Sequence, residues 1–238
     1  MRRIARRVLA ALFCLALPAT ATEYPDHPVR MIVPFTPAGA TDLLARIVGE
    51  RLGEKLGQPV VIDNRPGAGA NLGAGLAARA RPDGYTLLMG PASVYAISAT
   101  LYSKLDYDLI NDLVPVSLVA NVPHVLLVNV DLAVKSVPEL IQMAKKQPDV
   151  PTVDESGLKG YSAHSWLGIF VPAGTPKPIV ERLQRDLTAS IDEPKSRARL
   201  MEAGFEPRSS TPAAFAKLVR EEIEKWRPIV KMSGATPD

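Results

Sequence analysis

The sequence predicts an α/β fold, a parallel sheet flanked by helices on both faces. Three observations predict it. Short β-branched apolar runs alternate with longer stretches whose apolar residues recur at helical spacing. Turns rich in Pro, Gly and Asp separate them. The chain has 238 residues, 47% of them hydrophobic and 22% charged, which suits a sizeable buried core and not a disordered chain. At about 150 residues per domain, that length fits one large or two small domains.

Each element follows from its own residues. Val29–Val33 is a short apolar strand ended by Pro34. After it, Leu43, Leu44, Ile47, Val48, Leu52 and Leu56 share one helix face. Thr41 or Asp42 caps that helix and Gly57 ends it. Residues 59–62 form a second strand, 64–69 a loop and 72–80 an alanine-rich helix. A Pro82-Asp83-Gly84 turn leads into a third strand at 86–89 and a helical stretch near 93–101. Right-handed crossovers between such strands put helices on both faces. Residues 116–119 and 125–128 are further strand candidates, and Ser136 caps a helix reaching Lys146. Past Asp149 the pattern loosens. Residues 166–171 read as a strand, Ile179 to Ile191 as an amphipathic helix and 195–203 as a short one. A last helix carries Phe215, Leu218, Val219, Ile223 and Trp226 on one face, and Pro228 bends or ends it.

The formal charge of +3 hints at an anionic partner such as nucleic acid. The first twenty-one residues remove that hint. Arg2, Arg3, Arg6 and Arg7 precede an uncharged apolar run at 8–17, and Ala19-Thr20-Ala21 is a small-x-small cleavage site. Residues 1–21 therefore read as a secretory signal peptide, with an apolar run too short to span a bilayer. Four of the 28 Lys and Arg leave with it, against 25 Asp and Glu that stay, so the mature chain sits near −1. No nucleic-acid partner and no membrane insertion of the mature chain are expected. The one cysteine, Cys14, also leaves. Phe13 before it is too bulky for a lipoprotein site. Arg6-Arg7 lacks the fuller consensus of a twin-arginine signal.

Few motifs carry chemistry. In open parallel sheets ligands bind outside the carboxyl ends of the strands. The segment Phe35-Thr36-Pro37-Ala38-Gly39-Ala40-Thr41-Asp42 lies there. Its small residues open the backbone N–H groups, and a helix N-terminus adds positive dipole, so it reads as a carboxylate-binding loop or as a plain capped turn. Gly67-Ala68-Gly69 resembles a phosphate loop but has Leu72 where the dinucleotide fingerprint needs glycine, and no Walker lysine follows. A Gly-rich structural turn is the simpler reading. His27, His124 and His164 lack metal-ligand spacing, and no Gly-x-Ser-x-Gly elbow occurs. Neither a catalytic residue, a metal nor a cofactor is assigned. Trp166 and Trp226 read as core.

Ordered blocks along the chain resemble the periplasmic substrate-binding receptors of tripartite tricarboxylate transporters, the Bug-type receptors. They are Tyr24-Pro25 with Pro28-Val29-Arg30, then Pro34-Phe35 with Gly39-Ala40-Thr41-Asp42, then Asn64-Arg65-Pro66-Gly67-Ala68-Gly69 and Pro82-Asp83-Gly84-Tyr85-Thr86-Leu87-Leu88. Lys135-Ser136-Val137, Glu139-Leu140, Pro148-Asp149-Val150-Pro151-Thr152-Val153 and Pro172-Ala173-Gly174-Thr175-Pro176 follow. No block is decisive alone; their order is specific.

The resemblance implies a two-lobed, type II periplasmic-binding-protein-like fold that closes on a small organic carboxylate, a di- or tricarboxylate or an acidic amino acid. The receptor then delivers it to membrane transporter subunits. Carried over by position, the ligand loop is Phe35, Thr36, Pro37, Gly39, Ala40, Thr41 and Asp42. The loop after the third strand, with Ala92 and Ser93, lines the same cleft. Ala38 stands where the family usually has glycine, and it can offer its N–H to a ligand only if its φ stays negative. The resemblance also implies a deletion. Lys146-Gln147 runs directly into the return segment at Pro148, so roughly 60 residues or more, most of the second lobe, are missing. The expected organisation is a first lobe at 22–124 and 161–238 with a remnant of the second at 125–160. A one-sided cleft cannot bury a small ligand in the usual way or close on it by a hinge. The remaining readings are a non-binding remnant of such a receptor and an enzyme on an α/β scaffold.

Overall fold

The computed structural model describes residues 24–122, 128–146 and 165–237. The expected leader lies outside them, as do the block at 148–153 and most of the strand expected at 125–128.

One six-stranded sheet organises the molecule, in the order β2-β1-β3-β5-β4-β6. Its strands are β1 (Val29–Val33), β2 (Val60–Asn64), β3 (Thr86–Pro91), β4 (Leu113–Val122), β5 (Ser165–Pro172) and β6 (Glu206–Pro207). The helices are α1 (Ala40–Leu56), α2 (Asn71–Ala78), α3 (Ala92–Leu101), α4 (Val137–Lys146), α5 (Lys177–Asp192), α6 (Pro194–Glu202) and α7 (Pro212–Ser233). β1 pairs in parallel with β2 and β3, as the alternating pattern predicts. The far half departs from it: β5 runs antiparallel to both β3 and β4, and β6 antiparallel to β4. Strands β4 and β5 meet at Val122 and Ser165. β4 therefore runs with β1 and β3, and the chain leaves the sheet and re-enters it at one end.

Alternation along the strands sorts the core into two layers. Val29, Met31 and Val33 of β1, Leu87 and Met89 of β3, and Leu167, Ile169 and Val171 of β5 point to one face. Leu44, Val48 and Leu52 of α1, Leu183 and Leu187 of α5, and Leu200 of α6 cover it. Ile32, Leu88, Trp166 and Phe170 point the other way, beneath Ala74 and Ala77 of α2, Tyr95 of α3 and Phe215, Val219 and Trp226 of α7. Both tryptophans are core, as expected.

Gly90 and Gly168 face each other across β3 and β5. A Cβ on Gly168 would lie 2.1 Å from Phe215 Cζ, and one on Gly90 2.7 Å from Tyr95 Cε2. These bare positions let the rings lie flat on the sheet.

Several boundaries differ from the sequence reading. The 116–119 segment is the middle of a ten-residue strand with two register shifts against β5. Those bulges break the strict period of two that would have revealed its length. Helix α1 begins earlier than expected. Its N-cap is Gly39, with extended backbone and no side-chain cap, and Thr41 and Asp42 sit in its first turn. Helix α7 passes through Pro228 to Ser233 and ends at Gly234, φ +64. Pro228 is on the exposed side, and burial of Trp226 keeps the helix on the sheet. Ser136 does cap α4, its Oγ accepting the Glu139 N–H at 3.4 Å, while Glu139 accepts the Lys135 N–H at 2.8 Å. No described residue of α4 belongs to either core layer.

Candidate functional site

Three parallel strands, β1, β2 and β3, end at the same edge of the sheet, and α1, α2 and α3 start there. The first N–H groups of a helix have no partner within it. None of the three helices has a side-chain cap. Helix α1 lies on one face of the sheet, and α2 and α3 on the other. Their positive ends converge on one mouth, where an anion is favoured.

The β1–α1 loop forms its exposed rim. Thr36, Pro37, Ala38, Gly39 and Ala40 are exposed, Phe35 and Thr41 are half-buried, and Asp42 is buried. Asp42 ties the loop together from beneath. Its carboxylate accepts two bonds from Arg46, from Nε at 2.8 Å and Nη2 at 3.0 Å. It also accepts the Ala38 N–H at 3.0 Å and Asn64 Nδ2 at 2.9 Å. The same Asn64 amide donates to the Phe35 carbonyl at 3.0 Å. One carboxylate thus links the end of β2, the loop and the first turn of α1. The Arg46 guanidinium, helped by Asn64 and the Ala38 amide, outweighs burial and lowers the Asp42 carboxyl to about 2.

The Ala38 expectation is corrected here. Its φ is +67, and its N–H is taken by Asp42. The hydrogen bond holds an alanine in the left-handed region, at a cost of about 1–2 kcal/mol. Ala68 and Ala70, φ +48 and +76, share that state in the β2–α2 turn. Among the described residues, no other non-glycine has positive φ. All three lie in the two loops at this mouth, and such strain clusters where function requires a fixed backbone.

The structure places all the sequence-selected residues at this end: Phe35, Thr36, Pro37, Gly39, Ala40, Thr41 and Asp42 around the start of α1, and Ala92 and Ser93 as the first residues of α3. It adds Arg46 and Asn64, which sequence reasoning missed. The i,i+4 spacing of Asp42 and Arg46 was a visible signal. Asn64 heads one of the family blocks, but local pattern did not give its role, because its partners lie 22 and 29 residues away.

Helix N-termini gathered at the carboxyl ends of parallel strands are where α/β folds bind small ligands, anions in particular. The comparisons agree. A solved periplasmic binding protein, BugD, superposes with a TM-score of 0.76 at 26% identity, covering 90% of this chain and 99% of that one. An R. palustris protein with adipate superposes with a TM-score of 0.77 at 27% identity, covering 91% and 100%. The UPF0065 protein in the gbd 5′ region of Cupriavidus necator is 35% identical over 309 aligned positions, covering 94% of each chain. The profile of the tripartite tricarboxylate transporter family receptor matches residues 44–149 and 145–235. The chain belongs to the tripartite tricarboxylate transporter receptor family. Among the described residues, no helix is long and apolar enough to cross a membrane.

Proposed function

We propose that this protein is a periplasmic receptor for a small organic carboxylate, delivering it to the membrane subunits of a tripartite tricarboxylate-type transporter. The observation that carries the reading is the mouth, where three uncapped helix N-termini meet a solvent-open loop held rigid by Asp42. A ligand carboxylate there receives backbone N–H groups from the β1–α1 loop and from the first turn of α3 at Ala92 and Ser93. Asp42 acts as a positioning residue, since its oxygens face Arg46, Asn64 and Ala38. The adipate named with the R. palustris relative supports the ligand class.

Capture is weakened by a shortened second lobe, with residues 125–160 as its remnant and residues 1–21 as a cleaved export signal. Two facts support the deletion. The alignment to the C. necator relative spans 309 positions although this chain has 238 residues. The family profile matches in two pieces that overlap at 145–149. The chain also leaves and re-enters the sheet at the mouth, between Val122 and Ser165, where an opposing lobe would sit.

Thermal unfolding of the chain lacking residues 1–21, titrated with adipate, malate, citrate and aspartate, tests the reading. A ligand that binds only the folded state raises stability by RT ln(1 + [L]/Kd). The expected result is a saturable rise for at least one dicarboxylate, larger in a variant with the family's missing segment inserted between Lys146 and Pro148. No rise in either form would overturn the receptor reading. A rise only in the restored form would make the present chain a non-binding remnant.

A further inference from the structure

The charges and side chains around the mouth bear on which carboxylate it takes. Residues 34–44, 64–74 and 90–95 make up its two loops, the passage from β3 into α3 and the three first turns. Only Asp42 and Arg65 among them are charged. Both are spent. Asp42 lies against Arg46. The Arg65 guanidinium is drawn back along β2 to Asp63, Nε to Oδ1 at 2.9 Å. These segments therefore offer a guest no free cation. What remains is partial charge. A helix N-terminus is worth about half an elementary charge, so three give about +1.5 at most, less where water screens them. That balances one carboxylate and not three.

Where the rim is not backbone, it is largely apolar. Leu43 in the first turn of α1 is 44% exposed, and Leu72 in the first turn of α2 is 46% exposed. Helical side chains lean toward the N-terminus of their helix, so both leucines cover surface on the mouth side of their own backbone. Leu72 also lies over the β2–α2 turn, where a Cβ built on Gly67 would meet its Cδ2 at 3.1 Å. Pro37 and Pro66 in the two loops are exposed as well. Single exposed leucines are ordinary on a protein surface. Here two flank one anion-favouring edge, because α1 and α2 cover opposite faces of the sheet.

We propose that the mouth selects a carboxylate with one charged head and an apolar body over di- and tricarboxylates of similar size, with Leu43 and Leu72 as specificity-determining residues. The inference rests on the receptor reading of that mouth. The head takes the loop amides and helix N-termini, and the body lies across the leucines. A second carboxylate at the far end meets apolar surface or water and adds no affinity.

Calorimetric titration of the mature chain with butyrate, hexanoate, adipate and citrate, at one ionic strength, tests this. Hexanoate and adipate have equal chain length and differ by the distal carboxylate. Hexanoate should bind at least as tightly as adipate and about tenfold more tightly than citrate. It should bind about fourfold more tightly than butyrate, as two half-buried methylenes require. Leu72→Ser should weaken hexanoate severalfold, and Leu72→Arg should tighten citrate by supplying the missing cation. Leu72 is exposed, so both variants fold. Adipate or citrate binding more tightly than hexanoate would overturn the inference and leave the receptor reading standing. So would hexanoate no tighter than butyrate, or a hexanoate affinity that Leu72→Ser leaves unchanged. Binding of none of the four would overturn it together with ligand capture by the present chain.

Discussion

The two halves of the sheet solve opposite problems. In the parallel half, β2-β1-β3, β1 and β2 end in open loops, β3 runs straight into α3, and the helix N-termini there go uncapped. Three alanines are held at positive φ there, and a single buried carboxylate organises the rim. In the antiparallel half, β5-β4-β6, packing dominates. Gly90 and Gly168 clear the junction between β3 and β5, and Phe170, Phe215, Tyr95 and Trp166 interlock over them. The first half leaves helix N-termini without side-chain caps, at some cost in strain. The second gives the molecule the rigidity that makes such strain tolerable.

The largest effect is expected where packing is tightest. Gly168→Ala drives a methyl into Phe215 and should cost about 3 kcal/mol, an overpacking penalty at the high end of its range. The same change at Gly49 in α1 meets the Ile62 Cδ1 and Val60 Cγ1 methyls at 3.3 and 3.4 Å. It should stay within about 1 kcal/mol of wild type, since alanine also favours the helix. Urea denaturation of both variants decides the matter. Equal losses would break the contrast between the halves.

The next effect belongs to the mouth and depends on pH. The folded Asp42 carboxyl titrates at about 2 against an ordinary value of 3.8. Its contribution is therefore present above pH 4 and is lost as pH falls from 4 toward 2. The displacement corresponds to about 2 kcal/mol at most, less some screening because Arg46 is exposed. Asp42→Asn should be less stable than wild type at pH 6, and the gap should narrow by pH 2.5. Parallel stability–pH curves for the two proteins would remove Asp42 from its place at the centre of the loop.

The smallest effect sharpens the account of strain. Ala38→Gly relieves a left-handed alanine while adding freedom to the unfolded chain, so a net gain of up to about 1 kcal/mol is expected. The Ala38 N–H to Asp42 bond survives the change. A loss of stability, read from the same denaturation curves, would mean that the loop holds Ala38 without strain.

Much of this architecture was legible before any coordinates. Val29–Val33, the face through Leu44, Val48 and Leu52, and the stop at Gly57 were read from local pattern and recur in the fold. The loop at Phe35 to Asp42 was legible as the turn between a strand and a helix because the three follow one another without a gap. Less legible were the antiparallel pairing of β5 and the full length of β4. β5 enters from residues remote in sequence, and the β4 bulges disguise its alternation. Pro228 does not end its helix, for a related reason: its helix-breaking tendency is local, whereas the burial of Trp226 two residues before it is tertiary.

By itself, the sequence determined the elements, the parallel first half of the sheet and the family blocks in their order. These rest on interactions within a few residues or on a periodicity of two or 3.6. Only the tertiary structure decided that Asp42 turns inward to Arg46, Asn64 and Ala38, that Ala38 takes positive φ, and that Gly168 lies under Phe215. Each of these depends on groups far apart in the chain meeting in one small volume, where a hydrogen bond or a contact of a few ångströms outweighs local preference.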